Sequence, residues 1–358
     1  MNRRAWMALA ASLLMAGAAA HYAYQRSNLR SLSPGADLLE MLPADSGAVL
    51  FVNLAQLRAA PFIRQLYAWA PEPGPDEDYA RFLKETNFHY ERDLDRLAIA
   101  FEKAGPDSTF FAIAEGRFDH QKISALAAPS GTVEKRKGSE IFAIAESGGE
   151  KRIYLKFLGN DRIALTDRGD PSQTLGARKT TDDAAEWRAR FERVRGSPLF
   201  AVIRQDARPG TALFAQGPGS LRSGQLSSLL DRFGWITLAG KPELDRLRVV
   251  VEGESSSEDD VVRFAELLNG VLTLGETGLN DRKTRQELDP SLRAAYLEVL
   301  KSAEVSKINR GDTKSVRLAF EITPQFLESA RRLSLGSPGD TRAKPAARSA
   351  AGSRKGRP

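Results

Sequence analysis

Large apolar side chains stand at every second position in several short segments of the chain. This spacing places them on one face of a β-strand, with polar or small residues on the other, as in antiparallel sheets with one packed face. The alternating positions are Leu97, Ile99 and Phe101; Phe111 and Ile113; Ile153, Leu155 and Phe157; Ile163 and Leu165; Leu247, Val249 and Val251; Val316, Leu318, Phe320 and Ile322. A continuous apolar run, Ala48-Val49-Leu50-Phe51-Val52, predicts one further, buried strand.

Helices are predicted where apolar residues recur every three or four positions beside residues that favour helix ends. Asp119 is expected to cap one helix. Ser257 opens a second helix, which Gly275 is expected to stop. The pair Asp289-Pro290 begins a third. Other helices are predicted over residues 54–69 (interrupted near Pro61), 79–85, 182–194 and 324–333.

The order of these elements, two strands and then a helix, predicts an α+β fold in which helices pack on antiparallel sheets. The tetrapeptide Leu-Asp-Arg-Leu enters an alternating strand at residues 94–97 and again at residues 244–247. Each copy is followed later by a capped helix, so we expect two related halves. In the second half, a hairpin turn is predicted at Gly240-Lys241-Pro242.

Composition divides the chain into six segments. They are a signal peptide or membrane anchor over residues 1–24, a polar linker over 25–42, α+β domain one over 43–203, a Gly- and Pro-rich boundary over 204–224, α+β domain two over 225–333, and a disordered basic tail over 334–358.

The N-terminus has the pattern of an export signal. Arg3 and Arg4 precede an apolar run from Ala5 to Tyr24, and a positive start before such a run indicates export. Two outcomes remain open. The run stays as a single-pass anchor, since a helix of this length spans roughly 30 Å of hydrocarbon, or it is cleaved after Ala20. The body is then outside the cytoplasm at the cell membrane, or secreted or periplasmic.

The positive charge of the chain is concentrated at its C-terminus. The formal net charge is +6, and residues 331–358 contain eight Lys or Arg against one Asp. Past Leu335 the segment has no large apolar residue, so it cannot bury enough surface to fold. It is either a solvated tail or a polycation that contacts anionic lipid headgroups. Another envelope protein is an alternative partner. No specific nucleic-acid partner is expected, because the tail lacks aromatic residues for base stacking.

The residues that usually carry metal and thiol chemistry are scarce. The chain has no cysteine and three histidines, His21, His89 and His120. Disulfides, thiol catalysis, iron–sulfur clusters and Cys-ligated zinc are therefore excluded, and a three-His metal site is not expected. We predict no metal site and no cofactor.

Two pairs of neighbouring residues are candidates for a site. Asp119 could orient His120 as a general base; alternatively, Asp119 only caps the helix and His120 is an exposed first-turn residue. His89 and Tyr90 lie in an aromatic, polar segment before a strand. They could line a ligand cleft or pack as a loop against the sheet.

A third candidate is the predicted helix over residues 260–274, which is apolar around much of its circumference. Phe264 and Leu268 on this helix could line a groove for a lipid or a hydrophobic peptide. The alternative is that the helix is buried between the sheet and its neighbours.

The motif Leu42-Pro43-Ala44-Asp45-Ser46 before the first strand resembles a group of uncharacterised exported bacterial proteins with domains of unknown function. The step Gly116-Arg117-Phe118-Asp119 is also similar to that group. The resemblance implies an exported protein without an assigned catalytic residue.

Three functions follow from these patterns. The favoured one is an exported, membrane-tethered binding or scaffold protein without catalytic activity, because no catalytic motif accompanies the export signal. One alternative is a cofactor-independent envelope hydrolase that uses His120 and Asp119. The other is a carrier of lipid or hydrophobic peptide that uses the helix of Phe264 and Leu268.

Overall fold

A computed structural model describes residues 36–43, 45–69, 77–102, 109–136, 139–145, 152–175, 183–205 and 232–335. The helices are α1 (Ala36–Glu40), α2 (Leu54–Ala59), α3 (Pro61–Trp69), α4 (Glu77–Thr86), α5 (Tyr90–Asp93), α6 (His120–Ser130), α7 (Asp183–Arg193), α8 (Glu258–Asn280), α9 (Arg282–Glu287), α10 (Pro290–Ser302) and α11 (Pro324–Leu335). The strands are β1 (Ala48–Asn53), β2 (Leu94–Phe101), β3 (Phe110–Gly116), β4 (Gly131–Arg136), β5 (Ser139–Ala145), β6 (Arg152–Phe157), β7 (Arg162–Thr166), β8 (Leu199–Arg204), β9 (Trp235–Glu243), β10 (Arg246–Ser255), β11 (Glu304–Arg310) and β12 (Thr313–Ile322).

The described strands form one antiparallel sheet of 12 strands, in the order β11-β12-β10-β9-β8-β1-β2-β3-β7-β6-β5-β4. The predicted α+β fold of antiparallel sheets in two related halves is therefore wrong. The strand that overturns it is β8, for which the sequence patterns predict no element. Val202 in β8 is paired with Val49 in β1 on one side and with Thr237 in β9 on the other. Because β8 joins the two predicted halves edge to edge, the sheet has no break between them.

The predicted alternating strands are confirmed, but the turn between β9 and β10 lies elsewhere. Glu243 is paired with Arg246, so Leu244 and Asp245 form the turn, and Leu244 has a φ of 55°. The predicted turn at Gly240-Lys241-Pro242 lies within β9. A proline is tolerated there because β8 ends opposite Gly240, so no neighbouring strand needs the N–H that Pro242 lacks.

The predicted helix starts are confirmed, but Gly275 does not end α8. Ser257 accepts a hydrogen bond from the backbone N–H of Asp260 as the N-cap, and the helix then continues to Asn280. A Cβ atom on Gly275 would lie 3.2 Å from Cδ1 of Leu300 in α10. The glycine therefore allows α8 and α10 to approach closely, rather than providing a left-handed helix end.

The predicted linker and boundary are covered only in part. Residues 36–42 are not a polar linker, because Ala36–Glu40 is helical and both Leu38 and Leu42 are fully buried. Of the predicted boundary over 204–224, only Arg204 and Gln205 are described. The predicted anchor lies outside the described residues, and so does the predicted tail except for residues 334 and 335, which are helical rather than disordered because α11 continues to Leu335. Within the described residues, no helix combines the length and the apolar character needed to cross a membrane.

Helices pack on both faces of the sheet. On the first face, α1 and α7 cover its middle, where Trp187 of α7 is fully buried against residues such as Val49 and Val202. On the second face, Phe264 of α8 packs on Ile236 and Val316. Beyond α7, the part of the first face formed by β10, β12 and β11 carries mainly polar and charged side chains, and the candidate site lies there.

Candidate functional site

Two buried carboxylates mark the candidate site on the first face of the sheet. Glu252 and Glu254 are two positions apart on β10, so their side chains lie on the same face. Only 4% of the surface of Glu252 and 2% of that of Glu254 are exposed to solvent. Burying an ionised carboxylate is costly unless cationic hydrogen-bond donors surround it, so the groups around these two residues define the site.

Each carboxylate binds two arginines. Arg190 and Arg193 of α7 reach Glu254, with Nη2–Oε2 and Nη1–Oε1 distances of 2.8 and 2.5 Å. Arg317 of β12 donates to Oε2 of Glu252 from Nη2 at 2.8 Å and from Nε at 3.1 Å. Arg310 of β11 donates to both oxygens of Glu252. We call these four arginines and two glutamates the arginine cluster.

The two halves of the arginine cluster are linked. Nη1 of Arg193 also lies 3.7 Å from Oε1 of Glu252, so one guanidinium lies close to both carboxylates. Nη1 of Arg310 donates to Oγ of Ser315 at 3.1 Å. One helix and three strands therefore hold the charged groups in fixed positions relative to each other.

The arginine cluster has more positive than negative groups. Four guanidinium groups face two buried carboxylates, which leaves a formal charge of +2. A third carboxylate, that of Glu186, lies 3.9 Å from Nη1 of Arg190 and reduces the excess to +1. The side chains of Arg193, Arg310 and Arg317 are 20%, 28% and 37% exposed, whereas both carboxylates are buried. The excess positive charge is therefore presented to solvent on guanidinium groups that the buried glutamates orient.

Two buried polar atoms at the inner end of the arginine cluster have no hydrogen-bond partner in the described part of the chain. They are Nε of Arg190 and Oγ1 of Thr237. The Arg190 guanidinium lies 3.9 Å from the ring centroid of Trp235, so a cation–π contact stabilises it. Thr237 is the cross-strand neighbour of Glu252.

The surroundings shift the pKa values of Glu252 and Arg190, both downward. Burial tends to raise the pKa of Glu252, but hydrogen bonds from Arg310 and Arg317 outweigh burial and hold the pKa below its usual value. Burial lowers the pKa of Arg190, and Glu254 opposes that shift. Guanidinium groups stay protonated in proteins, so Glu252 and the arginines around it are charged at neutral pH.

The chemistry available in the arginine cluster is that of binding. Its carboxylates are fully engaged by arginines and cannot serve as free bases, and arginine is not a practical acid at neutral pH. A planar guanidinium presents paired N–H donors that match carboxylate and phosphate oxygens. The arrangement therefore suits an anionic partner rather than a reaction.

The contacts of Asp119 and His120 are with other residues: Asp119 binds Lys122, and His120 packs on Phe157. The Asp119 carboxylate accepts the backbone N–H of Lys122 at 3.1 Å, which caps α6 as predicted, and lies 3.5 Å from the Lys122 ammonium. That backbone hydrogen bond is the largest cause of a lowered pKa for Asp119. The His120 ring stacks on Phe157 with 4.0 Å between ring centroids.

His89 and Tyr90 lie at the start of α5. The backbone N–H of His89 donates to Oδ2 of Asp93 at 2.9 Å, and His89 is the residue before the first turn of this helix. Tyr90 is half-buried and packs on the apolar cluster that contains Leu54 and Leu57. These contacts are those expected if the segment packs against the rest of the fold. A role of His89 and Tyr90 in lining a ligand cleft stays a prediction.

Phe264 and Leu268 face the sheet. Phe264 is buried and makes an edge-to-face contact with Phe233, with ring centroids 5.0 Å apart. Leu268 packs on the same core. The large apolar residues of α8 that are exposed are Val271 and Leu274. A groove beside Phe264 and Leu268 for lipid or peptide stays a prediction.

No group of three metal-ligating side chains occurs among the residues that the structure describes. The arginine cluster also offers nothing for a metal, because each of its carboxylates already binds two guanidinium groups. The sequence patterns do not single out any of its six residues. One usable signal is the appearance of Glu252 and Glu254 at alternate positions of a strand. Another is the position of Arg317 between the apolar residues Val316 and Leu318.

No protein-family model and no curated protein matches the sequence. Crystal structures of TP0453 are similar to the chain, each with a TM-score of 0.40 and 10% sequence identity. The alignment to crystal form IV covers 81% of this chain and 96% of that chain. Those to crystal forms III and I cover 84% and 97%. A TM-score of this size gives no basis for transferring a function.

Proposed function

We propose that this protein is an exported, membrane-tethered binding protein that uses the arginine cluster to hold an anionic partner and catalyses no reaction. The single observation that supports this proposal is the arrangement of four arginines around two buried glutamates on the open part of the first face. An anion that approaches this face meets guanidinium groups that are already oriented.

Preorganisation is the physical reason for this assignment. A flexible surface arginine loses side-chain entropy when it binds an anion. Arg310 and Arg317 are instead fixed by Glu252, and Arg193 by Glu254, so much of that entropy is already lost on folding. The buried carboxylates neutralise part of the mutual repulsion of the guanidinium groups. The remaining positive charge attracts an anionic partner and speeds its association.

The location belongs to the same proposal. Arg3, Arg4 and the apolar run from Ala5 to Tyr24 support export and tethering. The basic tail after residue 333 is a second cationic segment, suited to anionic lipid headgroups. In this proposal the tail contacts the membrane surface, and the arginine cluster binds an anionic partner protein or polymer outside the cytoplasm.

Binding of poly-L-glutamate to the full chain in uncharged detergent micelles tests the proposed function. We expect binding that weakens with salt, because it rests on charge. Arg317→Gln should weaken it roughly fivefold, as expected when one of several exposed charged contacts is lost. Arg310 still partners Glu252 in this variant, so the fold is kept. The matched control is Arg248→Gln, which removes an exposed arginine elsewhere on β10.

A tail variant separates the two cationic segments. Replacing Arg354, Lys355 and Arg357 by glutamine leaves the arginine cluster intact. Binding that persists in this variant but weakens in Arg317→Gln supports the proposed function. Equal binding by Arg317→Gln and by the unaltered chain, with loss only in the tail variant, would overturn it.

A further inference from the structure

The arginine cluster reaches one edge of the sheet. Strand β11, which carries Arg310, is the outermost strand and pairs with β12. The two-residue turn Gly311-Asp312 joins them, with a φ of 72° at Gly311. In such a hairpin the residues that flank the turn, Arg310 and Thr313, exchange both backbone hydrogen bonds.

This register decides which backbone groups of β11 point outward. Alternation from Arg310 directs the backbone groups of every second residue towards β12, and those of Val305, Lys307 and Asn309 away from it. No other described part of the chain makes a hydrogen bond with these outward N–H and C=O groups. Lys307 and Asn309 are exposed. Among the described residues, this edge of β11 is therefore unpaired.

The charges along this edge select the kind of strand that fits. A second copy of β11, paired antiparallel about its middle residue, would place Lys307 opposite Lys307, and like charges directly opposite each other are destabilising. On the first face, the partly exposed guanidinium groups of Arg310 and Arg317 lie beside the edge, whereas exposed Glu304 is at the other end of β11. A strand with acidic residues opposite Lys307 and beside Arg310 would complement both faces.

We propose that β11 binds an extended acidic peptide segment of another protein by strand addition. Backbone hydrogen bonds to Val305, Lys307 and Asn309 provide the register, and acidic side chains of the peptide reach Lys307 on the second face and Arg310 on the first. This inference rests on the proposed function and assigns the class of partner and its mode of binding. Strand addition gives affinity through the main chain and specificity through alternate side chains.

The probe is the acetylated and amidated heptapeptide Thr-Thr-Glu-Thr-Thr-Glu-Thr, bound to the full chain in uncharged micelles. Its two glutamates are three positions apart, like Lys307 and Arg310, so they lie on opposite faces of a strand. A second peptide of the same sequence carries N-methyl groups on alternate residues, in both registers, which removes its N–H donors but keeps its charge. We expect the methylated peptides to bind at least about tenfold more weakly, since unmade backbone hydrogen bonds are costly. Hydrogen exchange at Val305, Lys307 and Asn309 should slow when the unmethylated peptide binds.

A pair of variants at one position separates backbone from charge. Lys307→Gln removes the charge and keeps the outward N–H, whereas Lys307→Pro removes both. A further loss of at least about tenfold in Lys307→Pro relative to Lys307→Gln supports strand addition. Should Lys307→Pro fail to fold, the methylated peptides still decide the matter.

The proposal is overturned if methylated and unmethylated peptides bind equally, or if exchange along β11 is unchanged on binding. In either case, a weakened poly-L-glutamate affinity of Arg317→Gln would leave the proposed function intact. Failure of poly-L-glutamate itself to bind would instead remove the proposed function and this inference together.

Discussion

Phe233 lies directly on Gly253 on the second face of the sheet. A Cβ atom on Gly253 would lie 2.9 Å from Cδ1 of the Phe233 ring, and Phe233 is almost fully buried. The ring also makes an edge-to-face contact with Phe264 of α8. Because Gly253 has no side chain, the Phe233 ring fits against β10, where it contacts Phe264 and so helps to hold α8 on the sheet.

Replacing Gly253 by alanine should therefore destabilise the protein. The added methyl group overlaps a buried ring, and such overpacking costs about 1–3 kcal/mol. The control is Gly270→Ala in α8, where nothing lies within 4 Å of the added Cβ; this variant should gain about 0.5–1 kcal/mol from helix propensity. Urea unfolding followed by circular dichroism measures both. Equal stability of the two variants would contradict the packing described here.

The losses of stability from removing Arg190 and from removing Glu254 should not be additive. Arg190→Met leaves buried Glu254 with Arg193 as its remaining arginine of the cluster, at a cost of about 3 kcal/mol. In the double variant Arg190→Met/Glu254→Met the buried carboxylate is removed together with Arg190, and Arg193 keeps Glu252 at 3.7 Å. The loss should therefore be smaller than the sum of the two single losses. Denaturant midpoints of the four proteins give the coupling energy. Additive losses would show that the two side chains do not interact.

Acid should unfold the protein through Glu252. The pKa of Glu252 lies below its ordinary value of 4.5 in the folded protein. The ionised carboxylate of Glu252 therefore stabilises the folded protein fully above about pH 4.5. This stabilisation is lost as the pH falls through the pKa of Glu252 in the folded state. The pKa of Asp93 is lowered too; burial tends to raise it, but hydrogen bonds from Arg92 and from the His89 N–H outweigh burial. Stability should decrease below about pH 4.5.

The variant Glu252→Gln tests this pH dependence. It should lose about 3 kcal/mol at neutral pH, because four arginines then face one carboxylate, and its stability should fall less steeply in acid. Glu258→Gln, which removes an exposed carboxylate from the first turn of α8, is the control and should keep the slope of the unaltered chain. Urea unfolding between pH 7 and pH 3 measures both. An unchanged acid slope in Glu252→Gln would contradict the assignment.

The N-cap of α8 should contribute measurably to stability. Ser257 accepts the Asp260 N–H at 3.2 Å, and Ser257→Ala should cost about 1 kcal/mol because a helix-terminal N–H loses its partner. Asp259→Ala, one turn into the same helix end, should cost only a few tenths through the helix dipole. Thermal unfolding compares the two variants. A larger effect for Asp259→Ala would indicate that charge rather than capping dominates.

Local patterns along the chain predict local structure well. The alternation at Val316, Leu318 and Phe320 marks a strand, and the Asp289-Pro290 pair marks a helix start, because each signal depends on neighbouring residues alone. The role of Gly275 depends on Leu300 of another helix. Its sequence context resembles a helix end, and only tertiary packing shows that the helix continues.

The joined sheet and the candidate site could not be predicted for a related reason. Strand β8 is short and follows α7 closely, and its partner β1 is far away in sequence. In the arginine cluster, Glu254 meets Arg190 across 64 residues, and Glu252 meets Arg310 across 58. Without such pairings, Glu252 and Glu254 look like ordinary solvated carboxylates, since sequence alone does not show burial.

The position of β8 has a consequence for how the chain reaches its native state. Val49 in β1 pairs with Val202 in β8. Strand β1 therefore emerges from the ribosome roughly 150 residues before β8, its partner on one side. Contacts between residues so far apart in sequence slow folding, and until they form, one edge of β1 stays unpaired and prone to aggregation. The sheet cannot be completed until most of the chain has been made, and in the export that we propose this delay would keep the polypeptide unfolded for translocation.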